Sequence, residues 1–471
     1  MAEKSVSTSD SLLKEFGKYW YVILIIIICY FALEYNAVAL LLYKILMGLL
    51  PIAGIAILGR LAWIMWVHYI QQDFISGIDF VLLEIVPPRD VLRSPKAMEL
   101  FISNALYHWS MKGGKEEYWQ GAVWFWFSLE IASIDGQVHF YVRTPTRIRG
   151  LIETQMYAQY PQAQVKAVED YTLDVDEISP KSAWDGWGCE FKLIKPEAYP
   201  IKTYVDYELD KNPKEELKVD PISPVIELFG SLKKGEQMWM QIVITPSKQK
   251  YKTKGTWFKY HDWVAESKAQ IKKLLKDFTA IKGKGTKIGT DARIEIRVPI
   301  YLDNTVKAMN SKTTKLGFDT GVRVMYVAKK EVFDMSSRRN LRLVFRQYAK
   351  PDCNEFYRHN SAQADFYSGY FPASAKTVMM MANRMLHEYR ERAFFHLPLR
   401  HHIFSQNNWR WPIPEIIGLD GWIKAYPHHK TFVLNTEELA TIWHFPGQIL
   451  KVPTLERIES KEASPPTNLP T

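Results

Sequence analysis

Two long apolar stretches at the start of the chain differ from everything that follows them. The first runs without a charged residue from Trp20 to Leu33, and the second runs from Val38 to Ile70 with only Lys44 and Arg60 as interruptions. A membrane-spanning helix needs about 20 consecutive apolar residues, so the region has room for two of them. The pattern predicts a tail at 1–17 and a transmembrane helical hairpin at 18–70, with spans near 18–35 and 47–69.

Three other interpretations of this region remain open. A third span would fit only with strain. A cleaved signal peptide would explain the lysines, the apolar run and the small residues Ala37 and Ala39, but the apolar stretch resumes directly afterwards. A helical hairpin buried inside a soluble protein would need a hydrophobic core that is too large for the neighbouring segments. Membrane insertion fits the pattern best.

The lysines that flank the first span predict the orientation. Lys14 and Lys18 precede it, which favours a cytoplasmic N-terminus, and two spans then return the rest of the chain to the cytoplasm. Lys44 in the predicted connecting turn weakens the preference for a cytoplasmic N-terminus, because its positive charge favours the opposite orientation. We expect a multi-pass protein of the inner (cytoplasmic) membrane. Arg60 either reaches water through a shifted helix or meets a partner in a homo-oligomer.

From Asp79 onward the apolar positions follow the periods of strands and helices in turn. Ser94-Pro95 marks the start of a helix, and Asp135-Gly136 marks a tight hairpin between two strands. The predicted elements are strand 80–86, helix 95–109, strands 122–133 and 137–143, helix 146–160 and strand 164–171. This β-α-β-β-α-β order predicts a ferredoxin-like unit at 78–173.

The same order recurs further along the chain. The segment Ser223–Phe229 repeats the helix start at Ser94–Phe101. Around it we predict strands at 189–194, 203–207, 237–245 and 321–328 and a helix at 332–348. We infer an internal duplication, with a second ferredoxin-like unit at 187–350 that carries an insertion at 247–315.

The last part of the chain is predicted to be a mixed α/β extension at 351–450. It contains a helix near 375–393, a strand at 431–434 and a helix through about Trp443, which Asn435 and Glu438 open with capping-box spacing. The composition of 451–471 is that of a flexible tail. The predicted fold class is therefore α+β: an N-terminal transmembrane helical hairpin, two ferredoxin-like (βαββαβ) units and a mixed C-terminal extension.

The positive charge of the chain is concentrated in the insertion. The segment from Ser247 to Lys287 contains twelve lysines and three acidic residues, and this excess accounts for the formal net charge of +9. Lysines without arginines give a non-specific field, suited to nucleic-acid phosphates or acidic lipid headgroups. The candidate contact residues are Lys248, Lys250, Lys252, Lys254, Lys268, Lys272, Lys273 and Lys276. The alternative is the solvated face of an ordinary amphipathic helix, whose apolar stripe would be Trp263, Ile271, Leu274, Leu275 and Phe278.

The sequence contains no recognisable catalytic or metal-binding motif. Gly283–Thr286 lacks the spacing of a phosphate-binding loop, and the pairs His401-His402 and His428-His429 more often serve packing than metal binding. Glu84 and Glu130 lie in apolar strands, where a hydrogen-bonded structural role is expected. The three cysteines form neither a disulfide framework nor a zinc pattern, which favours a reducing compartment. We predict no cofactor, no metal and no enzymatic activity, although an enzyme with an unfamiliar site remains an alternative.

Several segments together resemble a known family. They include LLEIVPPRD (82–90), SLEIASIDGQVHFYVRTP (128–145), LKKGEQMWMQIVITP (232–246), LGFDTGVRVMYVAKKEVF (316–333) and VLNTEELATIWHFPG (433–447). The chain resembles bacterial membrane proteins whose longer members continue into a FtsK–HerA-type ATPase, like the coupling ATPases of type IV secretion. In those members the ATPase would follow where PPTNLPT (465–471) stands here.

The resemblance implies a membrane-anchoring, non-catalytic scaffold of a type IV secretion or DNA-translocation apparatus, which docks a separate ATPase. The resemblance identifies no catalytic residue in this chain, and it favours a cytoplasmic location for the part of the chain that follows the hairpin. The expected ATPase-contact residues are Asn435, Glu437, Glu438, Trp443 and His444. Membrane lipid, non-specific DNA and a homo-oligomer are the further partners considered. The alternative function is a membrane-tethered, non-specific nucleic-acid-binding protein.

Overall fold

A computed structural model describes most of the chain between Asn36 and Gly447. The described residues are 36–88, 93–107, 113–211, 219–247, 251–252, 260–282, 299–361, 375–396 and 431–447. The chain divides into two compact units, Met1–Val67 and His68–Thr471.

One long apolar helix, α1, spans Asn36–Ser76. Its segment Tyr43–Ser76 is long and apolar enough to cross a membrane, and none of its most apolar window is buried by the protein. The predicted second span at 47–69 lies inside α1. The predicted first span at 18–35 lies outside the described residues, so the described chain supplies one candidate span and does not support a multi-pass arrangement.

Antiparallel strands dominate the second unit. The strands are β1 Phe80–Val86, β2 Phe127–Ile134, β3 Gln137–Pro145, β4 Gln164–Val168, β5 Trp184–Leu193, β6 Glu236–Pro246, β7 Tyr251–Lys252, β8 Tyr260–His261, β9 Gly317–Lys329, β10 Phe356–Ser361 and β11 Phe432–Asn435. Within the described residues β7 and β8 form a separate ribbon, and the other nine strands form one sheet. The predicted mixed α+β class is confirmed.

The sheet has the strand order β10-β5-β9-β6-β2-β3-β1-β4, with β11 paired to the start of β9. The first half of the chain supplies β4-β1-β3-β2, and the second half supplies β10-β5-β9-β6. The halves meet where β2 and β6 pair, from Phe127 opposite Ile244 to Ile134 opposite Gln237. We call this β2–β6 pairing the seam. The predicted units at 78–173 and 187–350 thus contribute to a single sheet within the compact unit His68–Thr471.

Helices cover both faces of the sheet. They are α2 Pro95–Phe101, α3 Gly114–Trp119, α4 Arg149–Gln159, α5 Ser223–Gly230, α6 Trp263–Lys282, α7 Ile300–Thr314, α8 Met335–Leu343, α9 Ala375–Arg390 and α10 Thr436–Ile442. On one face the Ser133 hydroxyl donates to the Phe229 carbonyl of α5, and Trp443 packs against Phe140. The opposite face carries α9, because Gly188 of β5 leaves room for the Met385 side chain.

Two predicted strands differ from the structure. The segment 203–207 forms turns instead of a strand, because side chains occupy its backbone donors: the Thr203 amide donates to Asp206 and the Tyr204 amide donates to Thr441. The strand predicted at 122–133 begins only at Phe127. Just before it, Gly121 has a φ of +67° and packs against the backbone of α1 at Ile70, which is incompatible with a regular strand start.

Candidate functional site

A row of large polar residues crosses the middle of the sheet. Glu130 lies opposite Gln241, Gln241 opposite Arg323, and Arg323 opposite Glu190. In the other direction Glu130 lies opposite Tyr141, and Tyr141 opposite Glu84. We call these six residues the polar row. Side chains alternate along a strand, so all six point to the face that carries α9.

Arg392, which follows α9, binds the row beside the seam. Its Nε and Nη2 donate to the two carboxylate oxygens of Glu130, at 2.9 and 3.1 Å. Its Nη1 also bonds to Asp170, and the Tyr171 hydroxyl donates to Glu130 at 2.8 Å. A bidentate guanidinium–carboxylate pair is among the strongest polar contacts in a protein, so Arg392 fixes the segment after α9 to the sheet.

Arg323 holds the second half of the row. Its Nη2 donates to Glu190 Oε1 at 2.7 Å, and its guanidinium lies 4.5 Å from the centre of the Phe394 ring. Gln241 joins the two clusters, because its amide nitrogen donates to Glu130 Oε1 at 3.2 Å and its amide oxygen accepts from Arg323 Nη1 at 3.4 Å. The hydrogen bond between Gln241 and Glu130 therefore crosses the seam, with one ion pair on either side of it.

The electrostatics of these groups favour one fixed protonation state. Burial would lower the pKa of Arg392, but Glu130 and Asp170 raise it well above its usual value. Burial raises the pKa of the Tyr171 and Tyr389 hydroxyls well above 10. Burial would raise the pKa of Asp170 as well, but Arg392 and Thr172 lower it overall. These shifts keep Arg392 and Asp170 charged and both hydroxyls protonated near neutral pH, which preserves the ion pairs of Arg392. We call Arg392, Glu130 and Asp170 the clamp.

Four of the five residues expected to contact an ATPase are buried, and Glu437 is partly buried. Asn435 and Glu438 form the predicted capping box at the start of α10. Glu438 also pairs with Lys312 at 2.9 Å, with both side chains fully buried. Burial raises the pKa of Glu438 despite this pairing. Glu437 pairs with Lys315 at 2.7 Å, on the side where Lys315 also binds Glu99.

Trp443 and His444 are buried as well. The Trp443 indole donates to the Glu130 carbonyl. The His444 ring lies 2.9 Å from the Ala440 carbonyl through Nδ1 and 2.9 Å from Asp220 through Nε2. Both ring nitrogens are therefore occupied by contacts within the chain. Asn435, Glu438, Trp443 and His444 are thus buried and bonded within the chain, and their contact with an ATPase stays a prediction.

The lysine candidates are only partly described. Lys268, Lys272 and Lys273 lie exposed on α6, whereas Trp263 and Ile271 on the same helix are buried. Leu274 and Leu275 pack with Ile271 and Met309, so the predicted amphipathic helix is confirmed. Lys252 lies in β7 and Lys276 in α6, while Lys248, Lys250 and Lys254 lie outside the described residues. We call Lys268, Lys272 and Lys273 the lysine face.

Among the described residues no group of three or more His, Cys, Asp or Glu side chains could hold a metal ion. The histidine pairs at 401–402 and 428–429 and the loop 283–286 lie outside that part of the chain. Glu84 has the expected hydrogen-bonded role: it lies 2.7 Å from Nδ1 of His139, which lowers its pKa although burial opposes this.

The sequence prediction missed Arg323 and Arg392 as partners of the buried carboxylates. A signal for Arg323 was present, because four strands each carry a large polar residue between two apolar neighbours. These residues are Glu190 in β5, Arg323 in β9, Gln241 in β6 and Glu130 in β2. No such pattern marks Arg392 or Asp170. Arg392 lies in the turn after α9, and Asp170 precedes a short turn, so neither interrupts an apolar strand. Their role depends on how α9 lies across the sheet.

Comparison with the models of known protein families gives no match for this chain, and no curated protein matches it. The resemblance to membrane proteins linked to FtsK–HerA-type ATPases therefore stays a prediction. The described residues themselves supply an exposed apolar helix, a sheet held by buried ion pairs and an exposed lysine face.

Proposed function

We propose that this protein is a membrane-anchoring, non-catalytic scaffold of a type IV secretion or DNA-translocation apparatus, and that it docks a separate FtsK–HerA-type ATPase. The proposal combines the family resemblance with the placement of one helix. The large sheet would present a rigid platform, and α1 would hold it at the membrane.

The observation that carries the proposal is the exposure of α1. Ile52, Ile55 and Leu58 leave 64, 72 and 64% of their surface accessible. A soluble protein rarely exposes a continuous apolar surface of this size, which favours burial in lipid. Only Gly77, Ile78 and Asp79 separate α1 from β1. An anchor joined to the sheet through so short a connection supports a scaffold held close to the bilayer.

The duplication is part of the proposal. In each half the strands, numbered along the chain, have the order 4-1-3-2, with antiparallel neighbours and helices between strands 1 and 2 and between 3 and 4. This matches the β-α-β-β-α-β arrangement. We infer two ferredoxin-like units joined by the seam, together with a multi-pass anchor in which 18–35 supplies the second arm of the hairpin.

The test is affinity capture from native membranes. The full chain, tagged and cross-linked in its own cells, is expected to sediment with membranes, to resist carbonate extraction and to bring down an ATPase of the FtsK–HerA type. The variant Ile25→Lys/Ile27→Lys/Ile52→Lys/Ile55→Lys/Leu58→Lys is the control, because charges within both proposed spans should release the chain from the membrane. Recovery of the unaltered protein in the supernatant without detergent would refute the anchor. Membrane capture without such an ATPase would refute the scaffold.

A second candidate function is favoured by the lysine face. Three exposed lysines on one helix provide a non-specific positive surface, which fits the alternative of a membrane-tethered nucleic-acid-binding protein. In that function the anchor would be the same and the ligand would be a phosphate backbone.

A further inference from the structure

The short helix α3 places two aromatic side chains at the surface. Tyr118 and Trp119 end this helix and leave 38 and 63% of their surface accessible. Indole and phenol rings combine an apolar body with a polar tip, a combination that favours the boundary between lipid and water.

Gly121 fixes the position of α3 against the helix α1. At a φ of +67°, its Cα lies so close to α1 that an added Cβ would overlap the Ile70 carbonyl group. The amide of Ala122 donates to the Glu116 carbonyl at 2.9 Å, which ties the same turn back to α3. Because successive Cα atoms are about 3.8 Å apart, the Cα of Trp119 lies within about 8 Å of the Cα of Gly121.

The sequence of α1 sets the depth of Ile70. Residues 45–67 are apolar except for Arg60, and they are followed by His68, Gln71, Gln72 and Asp73. As a helix this apolar segment is about 35 Å long, enough to cross a hydrocarbon core of about 30 Å. Ile70 then lies in the headgroup region. Tyr69 beside it is 60% exposed, and Trp63 and Trp66 precede it at intervals of three residues.

We propose that Tyr118 and Trp119 form a second membrane contact, with both rings in the headgroup region of the bilayer. The inference rests on the membrane anchoring of α1 in the proposed function. Lys115, Glu116 and Glu117 share the same helix and give it a slight negative charge. The rings, and not charge attraction, therefore make the contact, so it forms on zwitterionic lipid.

The test measures the depth of a fluorescent label in the full chain, reconstituted in phosphatidylcholine vesicles. Trp119→Cys carries the label, with Cys29 replaced by serine and the buried Cys189 and Cys353 left in place. The matched control is Tyr357→Cys, which replaces another aromatic residue of similar exposure, at the β10 end of the sheet. We expect a nitroxide near the lipid headgroup to quench the Trp119→Cys label at least about twofold more strongly than the control label. Tyr118→Cys serves as a second reporter and should behave like Trp119→Cys.

Equal quenching of all three labels, in vesicles that retain the protein after carbonate washing, would overturn the inference and leave the anchor intact. Quenching that rises only when phosphatidylserine is added would also overturn it, because the contact would then depend on charge. Failure of the protein to sediment with vesicles would instead refute the anchor itself.

Discussion

Arg392 and Glu130 show how buried charges can stabilise a sheet. Both side chains are fully buried and lie 2.9 Å apart beside the seam. Removing two charges from water is costly, and their attraction offsets the cost only when the remaining donors and acceptors are also bonded. Asp170, Tyr171 and Gln241 supply those bonds. The pair therefore favours one arrangement of α9 on the sheet over others.

Loss of Arg392 should be strongly destabilising. Arg392→Met leaves the buried Glu130 carboxylate without its cation, and we expect the free energy of unfolding to fall by about 3–5 kcal/mol. Arg149→Met is the matched control. It removes an exposed i,i+4 pair with Glu153 and should cost at most about 0.5 kcal/mol. Denaturant unfolding of the detergent-solubilised chain measures both values, and equal losses would contradict the clamp.

Asp220 predicts a specific pH dependence of stability. Burial would raise its pKa, but His444 and the amides of Ile222 and Gly447 lower it overall from 3.8. A carboxyl group whose pKa is lower in the folded state stabilises the fold above its unfolded pKa, and this contribution is lost as the pH falls through the folded pKa.

Asp220→Asn should therefore unfold more easily than the unaltered chain above pH 3.8, and the difference should shrink as the pH falls below that value. Denaturant midpoints measured across this range test the expectation. Asp303→Asn, at an exposed pair with Lys307, is the control. A difference that stayed constant with pH would show that the carboxylate charge of Asp220 does not matter.

Most helices and strands were predictable because their apolar periods are regular. β3, α5, β6 and α10 begin and end within a few residues of the predicted bounds. The segment 203–207 was predicted wrongly, since Tyr204 and Thr203 bond to side chains far along the chain. The seam could not be predicted, because β2 and β6 are both buried on both faces and neither sequence specifies its neighbour.

The lysine face on α6 allows a direct test of nucleic-acid binding. Lys268→Gln/Lys272→Gln/Lys273→Gln should weaken the binding of duplex DNA and reduce the magnitude of the slope of log affinity against log salt by up to about 2.7, or 0.9 for each lost phosphate contact. The control replaces the exposed lysines Lys211, Lys233 and Lys234 with glutamine. Filter binding or fluorescence anisotropy over a salt series measures both variants. Identical slopes would remove the second candidate function.

The continuous sheet predicts that the two halves unfold together. Tyr157 lies on α4 in the first half and Tyr357 on β10 in the second, and both are exposed enough to replace with a labelled cysteine. We expect the two labels to report the same denaturant midpoint, because the seam and its ion pairs join both halves into one cooperative unit. Two separated transitions would mean that each half is stable without the other.

The seam also affects how neighbouring chains behave when they are crowded in one membrane. An unpaired outer strand can recruit the strand of another molecule and start aggregation. Pairing β2 with β6 covers one such strand from each half, so within the described part of the chain the sheet ends at β4 and β10. β4 has only five residues, with the exposed Lys166 at its centre, and β10 loses its register between Arg358 and Ser361. Short, charged or irregular edge strands pair poorly with the strands of other molecules. Many copies can therefore lie side by side without forming intermolecular sheets.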